Sequence, residues 1–403
     1  MSWRTLLGLP PTLDSFAAEL VKHARRLGEP DWYYDAGERE LRSHGDTGKR
    51  INLANIFLEY SRADRKLRPG LIGKYLSIIS VGTQMPSLWT VAAKGIYPAL
   101  RSRYGMMALE IDNRDKPNAP PLPDVSQAWV EDIDLKLLYD FGPHMSLVSD
   151  SKADTWGVPR AELWRRALSN LRALERPHWE ASSPGVLQVV SEVAYEETFL
   201  LVDEVRAALP FAADAVFAIP NRGVLIAADA RDPAAVRALI REIRERQDSN
   251  PWPLSTTLLQ SGAEGWRCYD PPGELSAPAT ALRKISLART YADQKAALDK
   301  LYERTSTQVY VAAVSLRMLN GNVDDLHTWC TWSSGVPTLL AKTDNIALVT
   351  DPSNPQANVM LTNWAEIERV CSQHLQPTTE DPPRYRVDTF PSPAELVELS
   401  RPD

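Results

Sequence analysis

The chain has 403 residues, 44% of them hydrophobic and 24% charged, with a formal net charge of -7. That length accommodates about two or three domains, each with its own core, and the composition is that of an ordinary globular chain. The acidic balance weighs against a nucleic-acid partner, since proteins that live on phosphate backbones carry a basic excess or a basic face.

No segment approaches the roughly 20 consecutive apolar residues that a bilayer-spanning helix requires. The run at Met1–Pro10 is too short for a secretory signal, so a cytoplasmic location without membrane association is expected. Cys268, Cys330 and Cys371 lie far apart, with no paired spacing for a metal or a redox motif. Reduced thiols are the plain expectation.

In chain order, Leu13, Phe16, Ala17, Leu20, Ala24 and Leu27 recur at helical spacing and predict a helix over 12–28. Trp32-Tyr-Tyr34 and Glu40-Leu-Arg42 read as a small hairpin around Asp35-Ala-Gly37. Ile51–Tyr60 and Pro69–Ile79 fit two further helices, so residues 1–115 are expected to form a mostly helical lobe. The proline-rich run within Asp112–Gln127 continues neither a helix nor a central strand and reads as a linker or a long surface connection.

Asp134–Phe141 and His144–Ser149 read as strands around Gly142-Pro143. Pro159 opens a helix striped by Leu163, Trp164, Ala167, Leu168, Leu171 and Leu174. Thr198–Leu209 is expected to be another helix, with Phe199, Val202, Val205 and Leu209 inward. The runs Asp214–Ile219 and Val224–Asp229 then form a hairpin across a tight Pro220-Asn-Arg-Gly223 reversal. Asp232 caps a following helix with Pro233 at its first position, and Val236, Leu239, Ile240 and Ile243 mark its apolar face.

An edge hairpin around Gly262–Gly265 and a boundary near residue 275 close a central domain over 127–270. From 285 to 403 the pattern is a helix from Tyr291, strands at Gln308–Leu316, Leu326–Ser333, Asn345–Thr350 and Val359–Leu361, and a helix carrying Trp364, Ile367, Val370, Cys371 and His374. Strands and helices are segregated rather than alternating β-α-β. The fold class is therefore α+β, with antiparallel sheets and helices packed on one face. Strand, strand, helix occurs twice, which suggests an internal repeat, although residue identity between the two copies is poor.

Asn52-Leu-Ala-Asn-Ile-Phe-Leu-Glu-Tyr60, the segment Leu137–Leu171 with Trp156-Gly-Val-Pro159 before its helix, and Ala218-Ile-Pro-Asn-Arg222 resemble the YtpQ-like family of bacterial proteins. The resemblance spans roughly residues 12 to 270, leaving the C-terminal third as an added domain. It implies a fold and a bacterial origin. The family carries no established activity, so it implies no reaction.

Asn221 and Arg222 sit at the expected tip of the central hairpin, where loops carry function. The bland alternative is an Asn chosen for positive φ and a solvated Arg. Asp132 and Asp134 would share one strand face and could hold a divalent cation or act as acid and base, but no third ligand is near in sequence, so no metal is expected. His327 alternates with Trp329, whereas Cys330 and Trp332 take the other strand face. A His327–Cys330 pair therefore stands as a weak catalytic candidate against a buried strand thiol.

There is no Gly-x-Gly-x-x-Gly, phosphate loop, Gly-x-Ser-x-Gly elbow or His-Glu-x-x-His, and no cofactor is expected. Twelve tryptophans are the most unusual feature. They build cores, and Trp329 and Trp332 could also anchor a partner. The expectation is a non-catalytic binding or accessory protein with a protein partner or self-association. A hydrolase-like enzyme with an unmarked polar cleft and a nucleic-acid-associated protein are the alternatives.

Overall fold

In the computed structural model the described residues are 11–37, 39–44, 50–80, 84–117, 119, 122, 125–142, 144–249, 252–318, 321, 324–354 and 359–400. The Met1–Pro10 segment, part of the proline-rich run, Pro143, and Asn250-Pro251 lie outside them, as do the side chains of Asn52 and Asn55. The fold is α+β, with three antiparallel sheets and, toward the C-terminus, two mixed sheets that each hold one parallel pair, so the expectation of purely antiparallel sheets fails there.

α1 (Leu13–Arg26) starts at a capping box in which Thr12 and Ser15 each accept the other's backbone N–H. Its Phe16, Leu20 and Ala24 pack with Trp32, Leu41, Leu53, Ile56, Tyr60 and Tyr75. Those residues come from β1 (Trp32–Asp35), β2 (Glu40–Ser43), α2 (Ala54–Arg62), α3 (Arg68–Ser80) and the residue preceding α2. The expected mostly helical lobe therefore also holds a three-stranded sheet, because Arg50–Asn52 forms β3 on β2 before α2 begins.

Short α4 (Trp89–Ala92) leads into β4 (Ile96–Ser102), which pairs along its whole length with β6 (Ile133–Asp140). β5 (Ser126–Val130) and β7 (Met145–Leu147) pair with the other edge of β6. The proline-rich run thus lies between two strands' worth of one sheet, with α5 (Met107–Asn113) on its N-terminal side. Pro98 is tolerated in β4 because β4 is an edge strand.

α6 (Asp150–Thr155) and α7 (Arg160–Arg172) follow, then β8 (His178–Ser183) and β9 (Val186–Val190), which sequence periodicity had not marked. A 3₁₀ turn over Glu196–Leu201 and short α8 (Asp203–Ala207) replace the single helix expected at 198–209. β10 (Ala215–Ala218), β11 (Ile226–Asp229), β12 (Leu259–Gly262) and β13 (Gly265–Cys268) complete a six-stranded sheet ordered β13-β12-β10-β11-β9-β8.

Strand alternation sends Val216, Ala218, Ile226 and Ala228 against Val236, Leu239, Ile240 and Ile243 of α9 (Pro233–Ser249). Asp232 caps that helix through the Ala234 N–H at 2.9 Å. Ala215, Phe217 and Ala227 face the other way, onto Leu100, Ile133, Leu138, Phe199 and Leu200. Leu163 and Ala167 of α7 cover Ile96 and Leu137 on the far face of the β4-β6-β5 sheet. The result is a layered helix–sheet–sheet–helix stack.

α10 spans Ser276–Thr305, beginning well before Tyr291. Its first half packs Ala279 and Leu282 into the α9 core, and its second half packs Leu298 and Leu301 against Met107, Ile111 and Leu339. A helix that changes partners midway carries no single stripe, which is why periodicity marked only its second half.

The expected strand 308–316 divides between two sheets. β14 (Tyr310–Val311) runs parallel to β17 (Thr338–Ala341), and β15 (Ser315–Met318) runs antiparallel to β16 (Leu326–Ser333). β18 (Asn345–Val349) lies parallel to β16 and carries β19 (Val359–Asn363), while β17 carries β21 (Arg384–Val387) and then β20 (Gln376–Pro377). α11 (Trp364–Cys371), capped by Asn363, and α12 (Pro393–Leu399) follow in this C-terminal part.

Arg384 ties these elements together. It is 1% exposed, and its guanidinium donates to Gln294 Oε1 at 2.5 Å, to the Ala312, Leu339 and Tyr291 carbonyls at 2.9, 3.2 and 3.2 Å, and lies 5.1 Å from the Tyr291 ring centre. Burial pulls its pKa down, and carbonyl dipoles rather than a carboxylate hold the charge.

Candidate binding site at the 219–225 loop

Ala218 and Ile226 face each other as the last pair of β10 and β11, so the connection spans residues 219–225 and is longer than the tight reversal expected. It is fastened from outside the hairpin. The Leu254 N–H donates to the Pro220 carbonyl at 2.8 Å, the Arg222 N–H to the Trp252 carbonyl at 3.0 Å, and Gln247 Nε2 to the Pro220 carbonyl at 3.0 Å.

Positive φ falls on Gly223, at 74°, and not on Asn221. Asn221 is therefore not there for its backbone. Its side chain is 0% exposed, and neither Oδ1 nor Nδ2 has a hydrogen-bond partner among the described residues. A buried polar group left in that state costs about 1–3 kcal/mol, which marks the position as one not optimised for stability.

Arg222 lays its guanidinium 4.9 Å from the Trp252 ring centre. No carboxylate among the described residues forms an ion pair with it. The side chain reaches solvent, yet protein walls it on several sides. That desolvation, with the like charge of Arg101, brings its pKa down to about 10.

The wall opposite is built by Glu197, only 3% exposed. Its Oε1 accepts from Arg101 Nη1 at 2.6 Å and its Oε2 from the Gly223 N–H at 2.9 Å, tying β4 to the loop. Glu196 lies alongside Gly223, where a Cβ would meet its Oε2 at 3.8 Å, and burial pushes its carboxyl pKa up.

Trp252 also reaches the N-terminal helices, its Nε1 donating to Glu59 Oε2 at 3.4 Å. Burial alone would raise the Glu59 pKa, but donors from Tyr75, Lys74 and Trp252 outweigh it and hold the carboxyl below its ordinary value. On the far side of Glu59 an open groove of about 550 Å³ runs between Arg62, Ala63, Leu67, Gly70, Leu71 and Ser249.

The other sequence candidates do not join this site or one another. Asp132 lies in the turn between β5 and β6, before the strand begins at Ile133, so it does not share a strand face with Asp134 as expected. Its Oδ1 accepts from Ser255 Oγ at 2.6 Å and Thr257 Oγ1 at 3.0 Å, whereas Asp134 pairs with Arg103 at 3.2 Å. Among the described residues no group of three His, Cys, Asp or Glu side chains could hold a metal.

Enclosure raises the Asp132 pKa despite the two hydroxyl donors. A carboxyl whose folded pKa lies above its unfolded value loses stability as pH rises above about 4. Asp132→Asn is therefore expected to gain stability over wild type as pH is taken from about 4 to about 7. Urea midpoints for both proteins at both pH values measure this, and parallel pH dependences would refute it.

Cys330 and His327 stand on opposite faces of β16 and do not meet. Cys330 is buried, its Sγ donates to the Ala341 carbonyl at 3.4 Å, and burial pushes its pKa up to about 11, so it stays a thiol. His327 faces Asp325 at 3.3 Å and Asn345 at 3.3 Å. Trp332, expected as a partner anchor, is instead a core residue at 1% exposure, packed edge-on to His374 and Phe390. Trp329 lies on the outer sheet face under Arg317, 5.6 Å away.

Arg101, Glu197, Glu196, Trp252 and Glu59 were not singled out as site residues by sequence. The available hints were two, an arginine just after the run Ile96–Leu100 and an acid pair just before Thr198 and the apolar run Phe199–Val202.

The fold and site together describe an α+β protein with a polar, tryptophan-backed loop site. No family model, curated protein or solved structure matches the chain.

Proposed function

We propose that the chain is a non-catalytic cytosolic binding or accessory protein, YtpQ-like over its first two thirds, that recognises a protein partner or a second copy of itself at the 219–225 loop. The observation that carries this is Arg222, stacked on Trp252 and open to solvent without an ion-pair partner among the described residues. Tryptophan and arginine together are the residue types that most often anchor a protein interface.

Two of the segments that carry the family resemblance support the reading by meeting here, Glu59 of one touching the Trp252 that backs Arg222 of the other. The separation of Asp132, Asp134, His327 and Cys330 also speaks for recognition over hydrolysis. Among the described residues no helix is long and apolar enough to cross a membrane.

Native mass spectrometry of gently isolated wild type and Arg222→Ala tests it. Wild type is expected to carry added mass or a second copy that Arg222→Ala lacks. Two bare monomers, or identical complexes, would contradict the proposal.

A further inference from the structure

We infer that β19 is a dimerisation edge, pairing antiparallel with β19 of a second copy of this chain about a twofold axis at Leu361. The surface is separate from the 219–225 loop and does not rest on the reading proposed for it.

β19 closes one side of the β15-β16-β18-β19 sheet, and among the described residues no strand pairs with its other side. Ladder bonds fall on every second residue of an antiparallel pair. The Trp364 N–H donates to the Asp344 carbonyl at 3.0 Å, continuing the register in which Thr362 and Met360 lie opposite Ile346 and Leu348. Thr362 and Met360 therefore direct their backbone groups at β18, and Leu361 and Val359 direct theirs outward. A bond inside the sheet gives the same phase. The Ser334 N–H donates to the Val349 carbonyl at 2.9 Å, so Val349, opposite Val359, turns toward β16. The Leu361 and Val359 side chains are 57% and 43% exposed.

An open edge is a template for another strand, and folded proteins blunt it with charge, proline, bulges or shortness. The other edges here are blunted. β1 carries Asp35, β4 Pro98, β8 Glu180, β13 Arg267 and β15 Arg317. β5 is irregular between Ala128 and Val130, β3 and β7 have three residues each, and β14 and β20 have two. β19, Val-Met-Leu-Thr-Asn, has none of these guards, and residues 352–365 hold no charged side chain in a chain that is 24% charged.

The same run selects the occupant. An uncharged edge offers a charged peptide nothing to pair with, whereas two copies of it meet without like charges opposed. The register is also self-complementary. With the axis at Leu361, that residue exchanges both its outward backbone bonds with Leu361 of the second copy, and Val359 lies opposite Asn363 of the second copy. Directly opposed side chains share a face, so the row Ala347–Leu361 continues into its copy through a leucine–leucine contact. Such an isologous contact closes at two chains.

Sedimentation velocity on the full chain over a roughly hundredfold range of concentration tests this. Wild type is expected to pass from monomer to dimer and no further. Leu361→Pro removes the central outward N–H from both copies and no bond to β18. It should weaken the dimer at least about tenfold and leave the melting temperature near that of wild type. Leu361→Lys sets like charges opposite each other at the axis and should weaken the dimer by a similar factor. It decides the question if Leu361→Pro does not fold. Thr331→Lys, at an exposed position two strands away, should dimerise as wild type does.

A wild type that stays monomeric, growth past the dimer, or a Leu361→Lys dimer as tight as that of wild type would each overturn the edge. So would a Thr331→Lys loss as large as that of Leu361→Lys, which would show packing face to face. A dimer lost in Arg222→Ala but kept in Leu361→Lys would place self-association at the 219–225 loop and overturn the edge while leaving the loop reading intact.

Discussion

Arg384→Met is expected to destabilise the fold by about 3–5 kcal/mol, the range found when a buried polar network loses its central member. Methionine keeps the length and apolar bulk of the stem, so the loss reports on the guanidinium. Without it the Ala312 carbonyl and Gln294 Oε1 lose donors in a buried interior and the Tyr291 carbonyl loses one as well, whereas the Leu339 carbonyl keeps the Ala312 N–H at 3.0 Å. Each unsatisfied acceptor costs about 1–3 kcal/mol, with partial relaxation keeping the sum below simple addition. Because Tyr291 and Gln294 belong to α10, its hold on β17 and β21 should loosen as well. Urea unfolding followed by amide exchange in α10 measures both, and a loss under about 1 kcal/mol would show that the bonds to Arg384 are not what joins these elements.

Glu197→Ala is the second large effect, expected at about 3 kcal/mol or more. Removal strands the Arg101 guanidinium, whose side chain is only 15% exposed, and frees the Gly223 N–H. Glu197→Gln should cost less, because the amide oxygen can still accept from Gly223 while the charge pairing is lost. The double substitution Arg101→Met with Glu197→Met should recover much of the loss, since the interior then contains no unpaired charge. Equal losses for Ala and Gln, or no recovery in the double variant, would place the role of Glu197 in packing and not in the ion pair.

The contrast between these two sites explains how much the sequence made legible. β10, β11 and α9 were readable because strand alternation, the Asp232-Pro233 start and the stripe Val236–Ile243 all act within about one element's length. The opposite facings of Trp329 and Trp332 followed from the same period of two. The division of 308–316 between two sheets was not readable, because Tyr310–Val311 and Ser315–Met318 are β-prone alike and only their distant partners β17 and β16 separate them.

The site suffered from the same limit. Arg101 and Glu197 are 96 residues apart, and nothing local to either reveals the other. Glu196-Glu197 look like acids at a helix start, yet the segment is a 3₁₀ turn that buries Glu197 beside Phe199 and Leu200. Asn221 and Arg222 were visible as loop residues, but the burial of the Asn amide and the stacking of Arg222 depend on Trp252 arriving from beyond α9. Positive φ, the usual reason for Asn in a turn, belongs to Gly223 instead.

Asn221→Leu tests most directly whether the loop is kept for recognition rather than stability. Leucine keeps the branching and heavy-atom count of asparagine, with two methyl groups in place of the amide, and removes a buried amide that has no hydrogen-bond partner among the described residues. Melting temperature and the mass carried in native spectrometry should be measured on the same preparation. The expected result is a variant at least as stable as wild type that no longer carries the wild-type complex. A variant destabilised by more than about 1 kcal/mol that still holds its complex would contradict the account, because the amide would then be part of the scaffold.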